Sequence, residues 1–138
     1  MRIGTIVIAP PSWPAAAGPP PFHVHARPDR DAAQLVPVGE LDSFAAPRLR
    51  ADVGELVAVG SAHVVIDLRE LSFMDCAGLR LLLTLAAGAR HERWRLSLIR
   101  GSNAIHRLFV LTGTVDVLPF LSPGTARAAP DRVERRRP

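Results

Sequence analysis

The spacing of apolar residues changes several times along the chain, and each change marks an element. His63 to Leu68 is continuously apolar at its centre (Val64, Val65, Ile66), the pattern of a parallel strand buried on both faces. Phe22 to Arg27 and Leu35 to Val38 flank a polar Pro28-Asp29-Arg30-Asp31 turn and read as a hairpin. Pro37 cannot donate a ladder hydrogen bond, which predicts an edge strand or a bulge there. From Ser43 to Val59 the residues Leu49, Val53, Leu56 and Val57 share one helical face, with Ser43 a candidate cap and Pro47 in the first turn. A leucine-rich second helix follows from Leu79 to Ala89. A wheel at about 100° per residue puts Leu79, Leu82, Leu83, Leu85, Ala86 and Ala89 on its core arc. Arg80, Leu81, Thr84, Ala87 and Gly88 fall outside that arc, so Leu81 is expected to be exposed. Trp94 to Ile99 reads as a strand. Ser102 then caps a third helix through Thr112, with Ile105, Leu108 and Phe109 inward and Gly113 as its stop. Val115 to Phe120 reads as a last short strand. Strands alternating with helices predict an α/β domain: a single mixed, partly parallel β-sheet with helices packed against it.

Composition narrows the class further. A chain of 138 residues has room for one core, and 48% hydrophobic residues marks it as globular. Residues 1–21 are proline-rich and residues 122–138 arginine-rich, both without a periodic apolar pattern. The expected organisation is a disordered leader (1–21), one domain (22–121) and a disordered tail (122–138). The net charge of +4 comes from arginine alone, and Arg132, Arg135, Arg136 and Arg137 crowd the C-terminus. No aromatic residues interleave with them, so direct nucleic-acid binding is not expected. No apolar run approaches the ~18 residues that span a bilayer, so no membrane insertion is expected either. The single cysteine excludes an internal disulfide and fits a reducing cytoplasm. His23 and His25 alternate on a strand, but no acidic or cysteine pair joins them at metal-site spacing. Neither a metal nor a cofactor is expected.

The chemistry concentrates at Phe73-Met74-Asp75-Cys76-Ala77-Gly78-Leu79, where a strand-side loop enters the second helix. The first N–H groups of a helix lack intrahelical partners, and the dipole adds positive potential. Such a corner can carry a phosphorylated side chain, a bound anion or a reactive thiol. Asp75 is placed to cap the helix, a contribution of about 1 kcal/mol. Cys76 has two readings: a small apolar side chain, or a thiol whose ionisation the helix start favours and Asp75 opposes. No second cysteine is present to resolve a sulfenic acid, and no histidine can be assigned as its catalytic base. The expectation is a binding protein, not an enzyme.

This corner resembles the Asp-Ser-(Ser/Thr)-Gly-Leu hallmark, after Phe-Met or Tyr-Met, of the bacterial anti-sigma factor antagonists in the STAS-domain family. Upstream, Val38-Gly39-Glu40-Leu41-Asp42 is similar to the family's Gly-Glu-Leu-Asp turn. Downstream, Ile105-His106-Arg107-Leu108-Phe109 and Leu111-Thr112-Gly113 are similar to its Arg-Leu-Phe…(Thr/Ser)-Gly helix end. The three matches occur in family order over roughly Phe22 to Leu121. The resemblance implies a STAS fold and a kinase-type anti-sigma factor as protein partner, hence a regulator of sigma-factor-dependent transcription. It places partner contacts at Asp42, Asp75, Cys76, Ala77, Gly78, Arg80 and Leu81. The family's phosphoacceptor serine falls on Cys76 and the hydroxylated residue after it on Ala77, so phosphorylation at residue 76 is not expected. Two other functions stay open: a STAS subunit of a lipid-transport ATPase complex, and a thiol-based sensor through Cys76.

Overall fold

A computed structural model describes residues 21–27 and 31–122. The expected disordered leader and tail lie outside the described residues, apart from Pro21 and Ser122, as does most of the Pro28–Asp31 turn. The elements are β1 (His23–Arg27), β2 (Ala33–Leu41), α1 (Ala46–Ala58), β3 (His63–Asp67), β4 (Leu71–Met74), α2 (Cys76–Glu92), β5 (Arg95–Ile99) and α3 (Asn103–Thr112). Short 3-10 turns occupy Leu68–Glu70 and Val115–Val117.

The sheet runs β1-β2-β3-β5, with β4 also paired to β2. β1 is antiparallel to β2, and every other named pairing is parallel. The expected α/β class with a mixed, partly parallel sheet is therefore what forms. Leu35, Val64, Ile66 and Leu98 bring one face of the sheet into a core with Leu49 and Val53 of α1, Leu82 and Leu85 of α2, and Ile105 and Phe109 of α3. At the end of β3, Asp67 is only 4% exposed and its carboxylate is fully engaged. It accepts from Arg69 Nε (2.9 Å), Arg69 Nη2 (2.8 Å), the Arg69 backbone N–H (3.0 Å) and Gln34 Nε2 (3.3 Å). A buried carboxylate persists only with such compensation.

β2 is an inner strand, so Pro37 does not mark an edge. It sits where β2 changes partner on one side, from β3 (Ala33, Gln34 and Leu35) to β4 (Gly39, Glu40 and Leu41). A missing N–H costs least in that gap. The bulge expected alongside it is present two residues later, between Gly39 and Glu40, where Gly39 takes φ 110°.

Two other expectations are corrected. Ser43 does not cap α1: the helix starts at Ala46 with Pro47 in its first turn and Ala45 at its N-cap without a side-chain bond, while the Asp42 carboxylate holds the preceding turn. Val115 to Phe120 is not a strand. Val115–Val117 coils into a 3-10 turn, and only Phe120 bridges to Leu98, through bonds from Leu98 N–H to Pro119 O and from Leu121 N–H to Leu98 O, both 2.9 Å. The third helix forms as expected, with Ser102 Oγ accepting from Ile105 N–H (3.2 Å) and Gly113 left-handed at φ 72°.

Candidate functional site

The corner is built where β2 and β4, lying parallel, leave the sheet side by side. Leu41 and Met74 are register partners, so the residues that follow them, Asp42 and Asp75, emerge together. Each turns its carboxylate onto the backbone ahead. Asp42 Oδ1 accepts from the N–H groups of Phe44 (3.0 Å) and Ala45 (2.9 Å), a turn that feeds α1. Asp75 Oδ1 accepts from the N–H groups of Ala77 (2.9 Å) and Gly78 (3.3 Å), capping α2. Asp75 N–H donates back to Leu41 O at 3.3 Å, and Ser72 Oγ donates to Gly39 O at 3.2 Å, which fasten the loop to β2.

These caps alter the expected electrostatics. Donors that an anion could have used at Ala77 and Gly78 are already taken by the Asp75 carboxylate. The corner thus presents a carboxylate, not an open cradle of N–H groups. Cys76, next after Asp75 in sequence, is the first residue of α2 and is exposed. Arg80, one turn further along α2, is also exposed and supplies the nearby positive charge.

The site residues named from sequence divide into two groups. Cys76 and Arg80 are exposed, and Asp42, Asp75 and Ala77 are half-buried. Gly78 and Leu81 are buried and face inward. A Cβ on Gly78 would lie 2.6 Å from Met74 Cγ and 2.8 Å from Leu41 O, so this glycine lets the helix start sit against β2. Leu81 is 6% exposed and belongs to the core, which corrects its placement on the outer face. The buried arc of α2 contains Gly78, Leu79, Leu81, Leu82, Leu85, Ala86 and Ala89. Its centre lies between Leu82 and Leu85, about 80° from Leu81 and about 120° from Leu83. Leu83, assigned to the core from sequence, is accordingly only half-buried.

Sequence reasoning passed over Phe44. Its ring is 89% exposed, held outward on the turn that Asp42 caps, and Phe73 on neighbouring β4 is 48% exposed. Large exposed aromatic surface is uncommon away from interaction sites. The available signal was an aromatic residue on no apolar face, directly after an acid that opens a turn. Elsewhere, His63 pairs with Ser97 Oγ (2.8 Å) inside the sheet, and burial together with the Arg95 charge lowers its pKa. Among the described residues no group of three His, Cys, Asp or Glu side chains is placed to hold a metal ion. Nor is any helix there long and apolar enough to cross a membrane.

With this geometry in place, the chain can be set beside known proteins. A family described as "Mlab, STAS domain" matches residues 24–119. The anti-sigma-B factor antagonist of Listeria monocytogenes is 32% identical over 91 residues, which cover 65% of this chain and 79% of that protein. In fold, the chain is similar to an anti-sigma factor antagonist from Mycobacterium paratuberculosis (TM-score 0.65, 24% identity, covering 79% of this chain and 93% of that one). It is similar also to the anti-sigma factor antagonist SpoIIAA in its unphosphorylated form (TM-score 0.62, 23% identity, covering 83% of this chain and 97% of that one).

Proposed function

The chain belongs to the STAS-domain family, and we propose that it acts as an anti-sigma factor antagonist whose docking corner carries a thiol in place of the phosphoacceptor hydroxyl. In this reading it binds a kinase-type anti-sigma factor through Cys76, Arg80 and the half-buried Asp42, Asp75 and Ala77. Phe44 and Phe73 add apolar contact. Binding of the anti-sigma factor frees a sigma factor, and the protein catalyses nothing itself.

The observation that carries the reading is the placement of Cys76: exposed, first in α2, and directly after the Asp75 cap. Antagonists of this family lose their partner when a phosphate on the motif serine adds about two negative charges to a tight interface. A thiol at residue 76 offers a kinase no alcohol. The occupied Asp75 cap also explains how a phosphate there would act. It would stand beside a carboxylate whose donors are already committed, so repulsion, not a new hydrogen-bonded cradle, would break the contact.

The test incubates wild type and Cys76→Ser with the kinase-type anti-sigma factor of the same bacterium and ATP, followed by intact-mass spectrometry and a binding titration. Wild type is expected to bind and gain no mass at residue 76. Cys76→Ser is expected to gain one phosphate and then lose affinity. A wild-type protein that is phosphorylated, on Cys76 or on another serine or threonine, overturns the unswitched reading. A wild type that does not bind overturns the partner assignment.

A further inference from the structure

From the outer face of α3 we infer a second interaction surface, independent of the Cys76 corner, that binds an acidic amphipathic segment of a partner protein. Ile105 and Phe109 commit the inner side of α3 to the core. On the opposite side, Asn103, His106, Arg107, Val110 and Leu111, joined by Arg100 just before the helix, line a shallow groove.

Both ends of this groove have unmet chemistry. Two guanidinium groups serve the N-terminal side: Arg100 just before the helix start, where the dipole adds positive potential, and Arg107 at mid-helix. Arg100 donates from Nη2 to Asn103 Oδ1 at 2.9 Å, and Arg107 is exposed with no ion pair among the described residues. From Arg100 through Thr112 the sequence contains no acidic residue; the next acid, Asp116, lies beyond the helix end. His106 adds no charge near neutral pH, because burial and then the Arg100 charge lower its pKa. At the C-terminal end Val110 is 58% and Leu111 71% exposed. Among the described residues nothing covers either side chain to that extent.

The charge pattern selects the occupant. A second copy pairing isologously through α3 would bring a face with two arginines and no acid against itself. A nucleic-acid backbone would satisfy the arginines and leave Val110 and Leu111 unused. An anionic membrane gains about 1 kcal/mol per nearby cation, and two cations with two exposed aliphatic side chains make a weak anchor. A protein segment with carboxylates at one end and aliphatic side chains at the other meets all four groups at once.

The experiment uses the full chain, isotopically labelled, titrated with a synthetic helix-prone peptide of glutamate and leucine at i, i+3 and i+4 spacing. A lysine-for-glutamate peptide, phosphatidylglycerol vesicles and a short DNA duplex are titrated in parallel. The glutamate peptide is expected to shift amide resonances of α3 and leave those around Cys76 in place. Its affinity should fall as salt rises. Arg107→Glu should weaken it roughly tenfold, the loss of one charge-assisted pair, and Leu111→Ser should weaken it also. Both variants change exposed side chains, and their unperturbed spectra would show an intact fold. The inference is overturned by no α3 shift with the glutamate peptide, by equal binding of the lysine peptide, or by shifts confined to the Cys76 corner. It is equally overturned if vesicles or DNA engage α3 and the glutamate peptide does not.

Discussion

Two glycines on one helix are expected to answer the same substitution with opposite signs. Gly78 is the third residue of α2, and a Cβ there stands 2.6 Å from Met74 Cγ, 2.8 Å from the Leu41 carbonyl oxygen and 3.0 Å from Leu41 Cγ. Met74 can give way by rotating its flexible side chain. The Leu41 carbonyl cannot, because it is backbone, it accepts from Asp75 N–H, and its strand is paired to β4. Overpacking of this kind costs about 1–3 kcal/mol, against which alanine's helix preference returns at most about 1 kcal/mol. Gly78→Ala should therefore lose about 1–2 kcal/mol, and at 4–8 °C per kcal/mol for a domain of this size Tm should fall by roughly 5–15 °C. Gly88 sits in the same helix with nothing within 4 Å of an added Cβ. Gly88→Ala should gain about 0.5–1 kcal/mol and raise Tm by a few degrees. Scanning calorimetry of the two variants beside wild type decides the matter. A Gly78→Ala protein melting at or above wild type would refute the close approach of α2 to β2 as the reason for glycine there.

Three further outcomes are expected. Leu81→Glu should lower stability by at least the roughly 2–5 kcal/mol of a buried leucine truncation, seen as a large drop in the urea midpoint; an unchanged midpoint would return Leu81 to the surface. Phe44→Ala should stay within about 0.5 kcal/mol of wild-type stability, as exposed substitutions do, yet weaken anti-sigma factor binding by calorimetry; full affinity removes the ring from the interface. His63 and His106 have folded pKa values lowered from 6.5, chiefly by burial, so the unfolded chain binds more protons at mildly acidic pH. Their stability contribution is complete above the unfolded pKa and is lost as pH falls from there through the folded values, so Tm should decline from neutral to about pH 5, and His63→Gln should flatten that decline; an unaltered slope in the variant would be the contrary result.

Local signals made much of this fold readable. Ser102 and Gly113 carry their start and stop chemistry within the residues they bound, and both act as the pattern predicts. Asp75 likewise caps the helix that its position promised. The errors arise where distant partners decide. Leu81 and Leu83 flank the α2 apolar arc on either side, and only the seating of the helix against the sheet buries one of them more deeply. Pro37 is harmless in an inner strand because β3 ends its pairing before it and β4 begins after it. Gly78 reads as motif spacing until the Leu41 carbonyl is seen against it. The exposure of Phe44 depends on the Asp42 carboxylate bonding the Phe44 N–H, an arrangement that hydropathy does not encode.

β2 forks: its first half holds β3 and its second half holds β4. Within the described sheet β4 has that single neighbour, so its hydrogen bonds to β2 can open without parting any pair of the β1-β2-β3-β5 order. Local opening free energy is therefore expected to be lower at β4 than at the inner strand β3. Backbone amides of Phe73 and Met74 should exchange with solvent deuterium well before those of Val64 and Ile66. Under the proposed function, a partner docking at Cys76 would contact the part of the sheet expected to open more readily than its centre.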